Sequence, residues 1–149
     1  MSSVLFDTSV YITALRLGVS SILAMRRLAA GYSVWLSAVV LEELYAGAGE
    51  EAREHVGKLE YDFAKAGRVL VPDFGDWVET GRILARMGSL YGYEQVGRAR
   101  LTNDAVIAAS AGRRGFTILT ANQRDFARLA KIRPFRWAVV DLSGEHDRG

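Results

Sequence analysis

The 149-residue sequence has no cysteine, two histidines, two prolines and no long apolar run. Without cysteine, the chain has no disulfide framework and no thiolate metal site. A bilayer span needs roughly 20 apolar residues, and no run approaches that length. The N-terminus also lacks the charged and apolar regions of an export signal. The length predicts one domain over residues 1–149, with a polar tail from about residue 143 that frays. The absences predict that this domain is cytoplasmic and does not enter membranes.

Lysine is scarce as well, with 3 lysines against 16 arginines at a net charge of +2. Arginine binds phosphate through a planar fork of donors. The bias therefore indicates a polyanionic partner, although a genome rich in arginine codons would produce the same bias. The arginines in predicted loops or helix ends, where they could contact a phosphate backbone, are Arg98, Arg100, Arg113, Arg114 and Arg124. The alternative for each is an ion pair with a surface acid.

Short apolar runs alternate with helical patterns along the chain. Runs at residues 4–6, 34–37, 69–71, 116–119 and 137–140 predict five strands. The alternation predicts an α/β fold in which helices cover both faces of a parallel sheet. In open sheets of this kind, ligands bind outside the carboxyl ends of the strands. Functional side chains are therefore expected at that edge.

Acidic and amide side chains fall near this edge. Asp7 directly follows the first predicted strand, and Asn122 and Asp125 follow the fourth. Asp104 is predicted at the N-terminus of an apolar helix, after a loop over residues 92–100. An aspartate in that position can accept a hydrogen bond from a free N–H group. The alternative is therefore that Asp104 only caps the helix.

Glu43 lies in a helix predicted over residues 38–46. The side of this helix predicted to be buried carries Val39, Val40, Leu44 and Tyr45. Glu43 lies on that side, whereas Glu42 points about 100° away and is expected to be solvated. A carboxylate on an apolar face needs a cation or a hydrogen-bond donor. Glu43 is therefore either a metal ligand or the partner of an arginine.

Several carboxylates at one edge of a sheet cannot all ionise stably without a cation. Oxygen ligands without cysteine or paired histidines favour a hard ion such as Mg²⁺ or Mn²⁺. Such an ion lowers the pKa of water and clamps a phosphoryl oxygen. Metal-dependent hydrolysis of phosphodiester bonds is the reaction that these residue types suit best.

Other phosphate-handling α/β proteins fit the sequence less well. A P-loop needs a glycine-rich turn that ends in Gly-Lys-Ser/Thr, and the sequence has none. An aspartyl-phosphate phosphatase would carry a second aspartate where Ser9 stands. A receiver domain would carry an acidic pair after the first strand and a lysine near the last, whereas Lys131 lies in a helical segment. A dinucleotide-binding glycine fingerprint is missing too.

Four segments, at residues 4–12, 36–47, 103–109 and 119–126, resemble the four motifs of PIN-domain ribonucleases. Their order and spacing are similar to those of VapC-type toxins, and the resemblance covers almost the whole chain. It implies a three-layer α/β/α fold with a central parallel sheet, and RNA cleavage that depends on Mg²⁺ or Mn²⁺. Asp7, Glu43 and Asp104 match the acids that hold the metal in this family.

The fourth acidic position departs from the commonest pattern of the family. Many relatives carry an acid where Asn122 stands, and Asp125 matches another position that is often acidic. Asparagine offers a carbonyl ligand but no charge, so either Asp125 completes the site or a second metal is held weakly. The residues that match positions orienting the acids or the substrate are Thr8, Asn103 and Thr120.

The resemblance also implies partners. Relatives of this kind pair with a small antitoxin, which inserts a peptide that often bears arginine into the acidic cleft, and they commonly form homodimers. The residues Trp77, Val78, Leu84, Met87 and Tyr91 form a stripe wider than a core contact needs, which predicts a two-fold homodimer. The alternatives are a housekeeping RNA-processing nuclease, or a module that binds RNA or protein with little catalysis.

Overall fold

Five parallel strands form the central sheet of this computed structural model, which describes residues 2–94 and 96–142, apart from the side chains of residues 19–22. The strands are β1 (Ser3–Phe6), β2 (Ser33–Ser37), β3 (Val69–Leu70), β4 (Thr117–Thr120) and β5 (Trp137–Val139). Their order across the sheet is β3-β2-β1-β4-β5. All five strands predicted from the apolar runs are confirmed, whereas the tail from about residue 143 lies outside the described residues.

Within the described ranges, seven helices accompany the sheet. They are α1 (Thr8–Leu17), α2 (Val19–Leu28), α3 (Ala38–Gly47), α4 (Glu50–Lys65), α5 (Phe74–Tyr91), α6 (Ala99–Arg114) and α7 (Gln123–Ile132). Helices α5, α6 and α7 pack against one another, and α3 packs against both α1 and α4. The predicted three-layer α/β/α fold with a central parallel sheet is confirmed. Among the described helices, none is long and apolar enough to cross a membrane.

The core is centred on β1 and α6. Val4, Leu5 and Phe6 of β1 are buried between β2 and β4, and the register pairs Leu5 with Trp35 and with Ile118. Strands buried on both faces read as continuous apolar runs, which is why these segments could be predicted. The buried apolar residues of α6 are Leu101, Ala105, Val106, Ile107, Ala108, Ala109 and Ala111.

Helix α6 begins earlier than predicted. It starts at Ala99, so Arg100 lies in its first turn rather than in a loop. Alanine, arginine and leucine all favour helix, and the burial of Leu101 draws this turn into the core. Asp104 therefore lies in the second turn, and the interpretation of this residue as only a helix cap is wrong.

The apolar stripe of α5 divides between the core and the surface. Met87 is 1% exposed, and Leu84 and Tyr91 pack against the buried cluster. Trp77 remains 54% exposed, and Val78 is exposed beside it. Only the part of the stripe near the N-terminal half of α5 is therefore free to contact another molecule.

Candidate active site

The carboxyl ends of β1 and β4 bring Asp7 and Thr120 together. The backbone N–H of Asp7 donates to the Leu119 carbonyl at 3.0 Å, which continues the pairing of the two strands. The side chain of Asp7 also caps α1 by accepting a hydrogen bond from the Val10 N–H at 3.4 Å. Asp7 is only 3% exposed. Its position at the predicted edge therefore follows from both the strand pairing and the helix start.

Two hydroxyl groups hold the carboxylate of Asp7. Ser9 Oγ donates to Oδ1 and Thr120 Oγ1 donates to Oδ2, both at 2.6 Å. Burial raises the pKa of Asp7 above its ordinary value, although these hydrogen bonds oppose the rise. Thr120 was expected to orient an acid, whereas Ser9 was not among the candidates. Its place two residues after a helix-capping aspartate is the signal that could have identified it.

A third hydroxyl group orients Glu43. Thr8 Oγ1 donates to Glu43 Oε1 at 2.8 Å, so the partner of Glu43 is Thr8 rather than an arginine. Glu43 is half-buried and Glu42 is exposed, as the helix pattern predicts. Burial raises the pKa of Glu43, hydrogen bonds from Thr8 and Asn103 oppose this, and the charges of Glu42 and Asp7 add to it.

The amide of Asn103 lies beside both glutamates of α3. Its Nδ2 donates to Glu42 Oε2 at 3.3 Å, and it also lowers the pKa of Glu43.

Tyr45 was predicted on the buried side of α3. Its side chain is instead exposed, and its hydroxyl donates to Glu60 at 3.0 Å. The prediction that Tyr45 is buried is therefore wrong.

Asp104 is the least satisfied acid of the site. It is 6% exposed, and its Oδ2 atom is buried without a hydrogen-bond partner among the described residues. Burial, followed by repulsion from Asp7, Glu43 and Asp125, raises its pKa to about 8, and Arg100 acts in the opposite direction. All four acids therefore lie close enough for their charges to interact.

Asn122 and Asp125 form the N-terminal cap of α7. Asn122 Oδ1 accepts from the Asp125 N–H at 3.4 Å, and Asn122 Nδ2 donates to Asp125 Oδ2 at 3.0 Å. Both polar atoms of the Asn122 amide are therefore engaged with Asp125. The charge of Asp125 also raises the pKa of Asp104, so the Asp125 carboxylate, in the first turn of α7, lies near the other three acids.

The arginines divide into two groups. Arg98, Arg100 and Arg124 are exposed, and Arg100 lies one helical turn before Asp104 on α6. The charge of Arg100 lowers the pKa of both Asp7 and Asp104. Arg100 therefore lies near the acids, as expected for a residue flanking the cleft.

Arg113 and Arg114 do not flank the cleft. They lie at the other end of α6, roughly 14 Å from Asp104 along the helix axis at 1.5 Å per residue. Arg113 Nη2 pairs with Asp76 Oδ2 at 2.9 Å, whereas the Arg114 guanidinium lies 5.1 Å from the centre of the Trp35 ring. Of the five candidate arginines, these two are therefore placed away from the acids and engaged in packing α6, and the prediction that some of the five contact a phosphate backbone rests on the other three.

A separate groove of about 500 Å³ lies between α1, α2 and α4. It is lined mainly by apolar side chains, among them Tyr11, Met25, Leu59 and Phe63. None of the four acids lines this groove. The acidic site is therefore a different surface, at the carboxyl edge of the sheet.

The acids can be tested for their fit to a divalent metal ion. In the part of the chain that the structure describes, no three acidic or histidine side chains converge closely enough to form a finished ligand set. The oxygen atoms present nevertheless suit a divalent metal ion. The Oδ2 atom of Asp104, which has no partner among the described residues, lies near three other acids that raise the pKa of Asp104. A divalent cation is the group that would offset such repulsion with oxygen ligands.

The fold and the site together define a three-layer α/β/α protein with an acidic centre at the carboxyl edge of its parallel sheet. The family model of the PIN domain matches residues 4–132. The chain therefore belongs to the PIN domain family. No curated protein sequence matches it.

Solved structures share this fold over nearly their whole length. The chain is similar to a DNA-bound VapBC of Salmonella typhimurium, with 24% identity, a TM-score of 0.66, and 93% of this chain and 98% of that chain covered. VapBC2 of Rickettsia felis, bound to a promoter DNA fragment, gives 20% identity, a TM-score of 0.65, and coverage of 93% and 99%. VapBC-5 of Mycobacterium tuberculosis gives 24% identity, a TM-score of 0.53, and coverage of 94% and 98%. At these identities the likeness establishes the common fold.

Proposed function

We propose that this chain is a cytoplasmic endoribonuclease that hydrolyses phosphodiester bonds of RNA with Mg²⁺ or Mn²⁺. Membership of the PIN domain family supports nuclease chemistry. The observation that carries the proposal is the buried, unpartnered Oδ2 of Asp104 among Asp7, Glu43 and Asp125. A protein that kept these acids only for stability would give that oxygen a donor.

The proposed metal ligands are Asp7, Glu43 and Asp104, with Asp125 as the fourth acid. A bound divalent ion would lower the pKa of a water nucleophile and polarise a phosphoryl oxygen. Thr8 holds one oxygen of Glu43, and Thr120 holds one oxygen of Asp7. These bonds fix the acids before substrate arrives. Asn122 does the same for Asp125, so we assign it an orienting role rather than a ligand role.

The test of this function is cleavage of a single-stranded or looped RNA by the purified protein. Cleavage should require Mn²⁺ or Mg²⁺ and should stop in EDTA, because the carboxylates provide no other means of stabilising charge on phosphate. Gel analysis of end-labelled RNA would follow the reaction. Full cleavage in EDTA would contradict the mechanism, and binding of RNA without cleavage would favour the alternative of a binding module.

We further propose that Arg100 and Arg124 contact the RNA backbone beside the acids. Arg100→Ala should weaken RNA binding in EDTA. It should also reduce the slope of log binding constant against log salt concentration by about 1, which corresponds to the loss of one phosphate contact. Fluorescence anisotropy at several salt concentrations would measure both effects. Arg82→Ala is the matched control, because Arg82 is 75% exposed and pairs weakly with Glu79 at 3.8 Å. Equal salt slopes for the two variants would contradict the assignment.

The biological role we propose is that of the toxin in a toxin–antitoxin pair. The VapBC complexes that share the fold support this role, and housekeeping RNA processing is the alternative. A cognate antitoxin would present arginine or lysine to the acids in place of metal, so Mn²⁺ should bind more weakly in the complex. Growth arrest on expression, relieved by the neighbouring reading frame, would separate the toxin role from RNA processing.

We also propose a two-fold homodimer that buries the free part of the α5 stripe. Trp77 and Val78 are exposed there, one helical turn after the exposed Phe74. Light scattering at micromolar concentration should give the mass of a dimer, and Trp77→Asp should give a monomer because it places a charge in an apolar contact. Tyr61→Asp, on the exposed face of α4, is the control. A monomeric wild-type protein would refute the dimer.

A further inference from the structure

Ser9 makes two hydrogen bonds that join separate parts of the acidic site. Its hydroxyl donates to Asp7 Oδ1 at 2.6 Å and accepts from the backbone N–H of Ala121 at 3.1 Å. Ser9 lies in the first turn of α1, whereas Ala121 lies in the loop between β4 and α7. The contact therefore links residues 112 positions apart in sequence.

The direction of these bonds follows from the chemistry of a hydroxyl group. A hydroxyl has one proton to donate, and the backbone N–H of Ala121 can only donate to Ser9. The proton of Ser9 is therefore given to the carboxylate of Asp7. Thr120 repeats the arrangement on the other oxygen, because its Oγ1 accepts from the Asn122 N–H at 2.9 Å and donates to Asp7 Oδ2 at 2.6 Å.

Each oxygen of Asp7 is thus held by a hydroxyl, and each hydroxyl is held by one of two consecutive amides of a single loop. Bonds from a hydroxyl to a carboxylate are short and strong, and both are shorter here than the 3.4 Å bond from the Val10 N–H. The loop therefore bonds to both of the hydroxyl groups that hold Asp7. The same loop leads into α7, whose first turn carries Asp125.

Hydroxyl groups inside the helices of this protein usually bond differently. A serine or threonine within a helix commonly donates to the carbonyl four residues earlier. The side chains that do so here are Thr13, Thr80, Ser89 and Ser110. Ser9 lies in the first turn of α1, where no helical carbonyl stands four residues earlier, and its hydroxyl donates to an acid of the site.

We propose that Ser9 is a positioning residue that fixes the orientation of Asp7 and couples it to the loop of Ala121 and Asn122, which leads into the first turn of α7 and Asp125. The expected effect of Ser9 on metal binding rests on the proposed function, in which the oriented carboxylate of Asp7 serves as a metal ligand. Residues that hold a metal ligand in place typically change metal affinity by 10- to 100-fold when they are replaced.

The experiment compares Ser9→Ala with Ser110→Ala and Ser9→Thr in the full chain. Ser110 is a buried hydroxyl whose hydrogen bonds, in the described part of the chain, go to carbonyls of its own helix α6, so it controls for general loss of stability. In the metal-free protein, NMR would measure hydrogen exchange at the Ala121 and Asn122 amides. Calorimetry would measure Mn²⁺ affinity.

Ser9→Ala should speed exchange of the Ala121 amide by about tenfold, with little change at Asn122, because only Ala121 loses its acceptor. Mn²⁺ affinity should fall by roughly tenfold or more. Ser9→Thr should restore both properties, since it keeps the hydroxyl group. Thr120→Ala should produce the opposite pattern, with faster exchange at Asn122.

Unchanged Ala121 exchange and Mn²⁺ affinity in Ser9→Ala would overturn the positioning role. Equal losses in Ser110→Ala would overturn it too, because they would reflect general destabilisation. A wild-type protein without Mn²⁺ affinity would overturn the proposed function instead. The exchange of the Ala121 amide would still decide whether Ser9 holds Asp7 to the loop.

Discussion

Asp104→Asn should lower the rate of metal-dependent RNA cleavage by roughly 100-fold or more, above the 10-fold lower limit for residues that merely support a metal ligand. The substitution removes the charge that would bind the cation but keeps the shape of the side chain. Because Asp104 Oδ2 has no hydrogen-bond partner among the described residues, an amide at this position breaks no bond of that atom seen there. Single-turnover cleavage at saturating Mn²⁺ would measure the loss.

Asp7→Asn should cause a similar loss of cleavage, but this substitution also disturbs existing hydrogen bonds. Both oxygens of Asp7 accept from hydroxyl groups, so an amide NH₂ would face a donor. Glu51→Gln is the control, because it removes one negative charge from the exposed first turn of α4. Circular dichroism should show that every variant is folded. Undiminished cleavage by Asp104→Asn would exclude Asp104 from the mechanism.

The second large effect concerns stability without metal. Asp104→Asn should raise the melting temperature in EDTA near pH 8, and the gain should disappear near pH 4. In the folded wild-type protein the pKa of Asp104 is about 8, against an ordinary value of 3.8. The folded state therefore keeps a proton that the unfolded chain releases between these two values.

The sign of the pH dependence follows from this difference in bound protons. Since the unfolded chain binds fewer protons over this range, the free energy of unfolding falls as the pH rises from about 4 to about 8. Each pKa unit corresponds to about 1.36 kcal/mol, so the total is on the order of several kcal/mol. The pKa values of Asp7 and Glu43 are raised as well, which acts in the same direction.

Thermal unfolding of both proteins in EDTA at several pH values would measure the effect. A gain of at least about 5 °C for Asp104→Asn at pH 8 is expected, since 1 kcal/mol shifts the melting temperature by roughly 2–4 °C in a domain of this size. Mn²⁺ should stabilise the wild-type protein more than the variant. Lower metal-free melting temperatures for Asp104→Asn, Asp7→Asn and Glu43→Gln would show instead that these acids are structural.

Much of the fold could be predicted because its signals are local. Buried parallel strands appear in the sequence as short apolar runs, and all five were found in this way. The start of α6 could not be predicted because its first residue follows Arg98, whose side chain forms no capping hydrogen bond. Which residues of the α5 stripe are buried depends on the side of α5 that packs against α6 and α7. The periodicity of apolar residues does not specify that side.

The candidate site was predictable in composition but not in its contacts. Asp7, Glu43 and Asp104 could be selected because each lies at a position that an α/β fold carries to one edge of the sheet. The bond from Ser9 to the Ala121 amide spans 112 positions, and the bond from Arg113 to Asp76 spans 37. Contacts at such separations arise from tertiary packing, so the sequence near Ser9 or Arg113 contains no sign of them.

The central place of β1 in the sheet has a consequence for synthesis of the protein on the ribosome. β1 precedes the other four described strands in the chain, yet one of its two neighbours is β4, and the bond between Asp7 and Thr120 spans 113 positions. Pairing between such distant segments forms only after both have left the exit tunnel. A nascent chain that ends before residue 117 has its first three acids but neither β4 nor Asp125. The acidic centre can therefore be completed only after β4 and the first turn of α7 have been synthesised, so a shorter nascent chain would hold its first three acids without the threonine that orients Asp7.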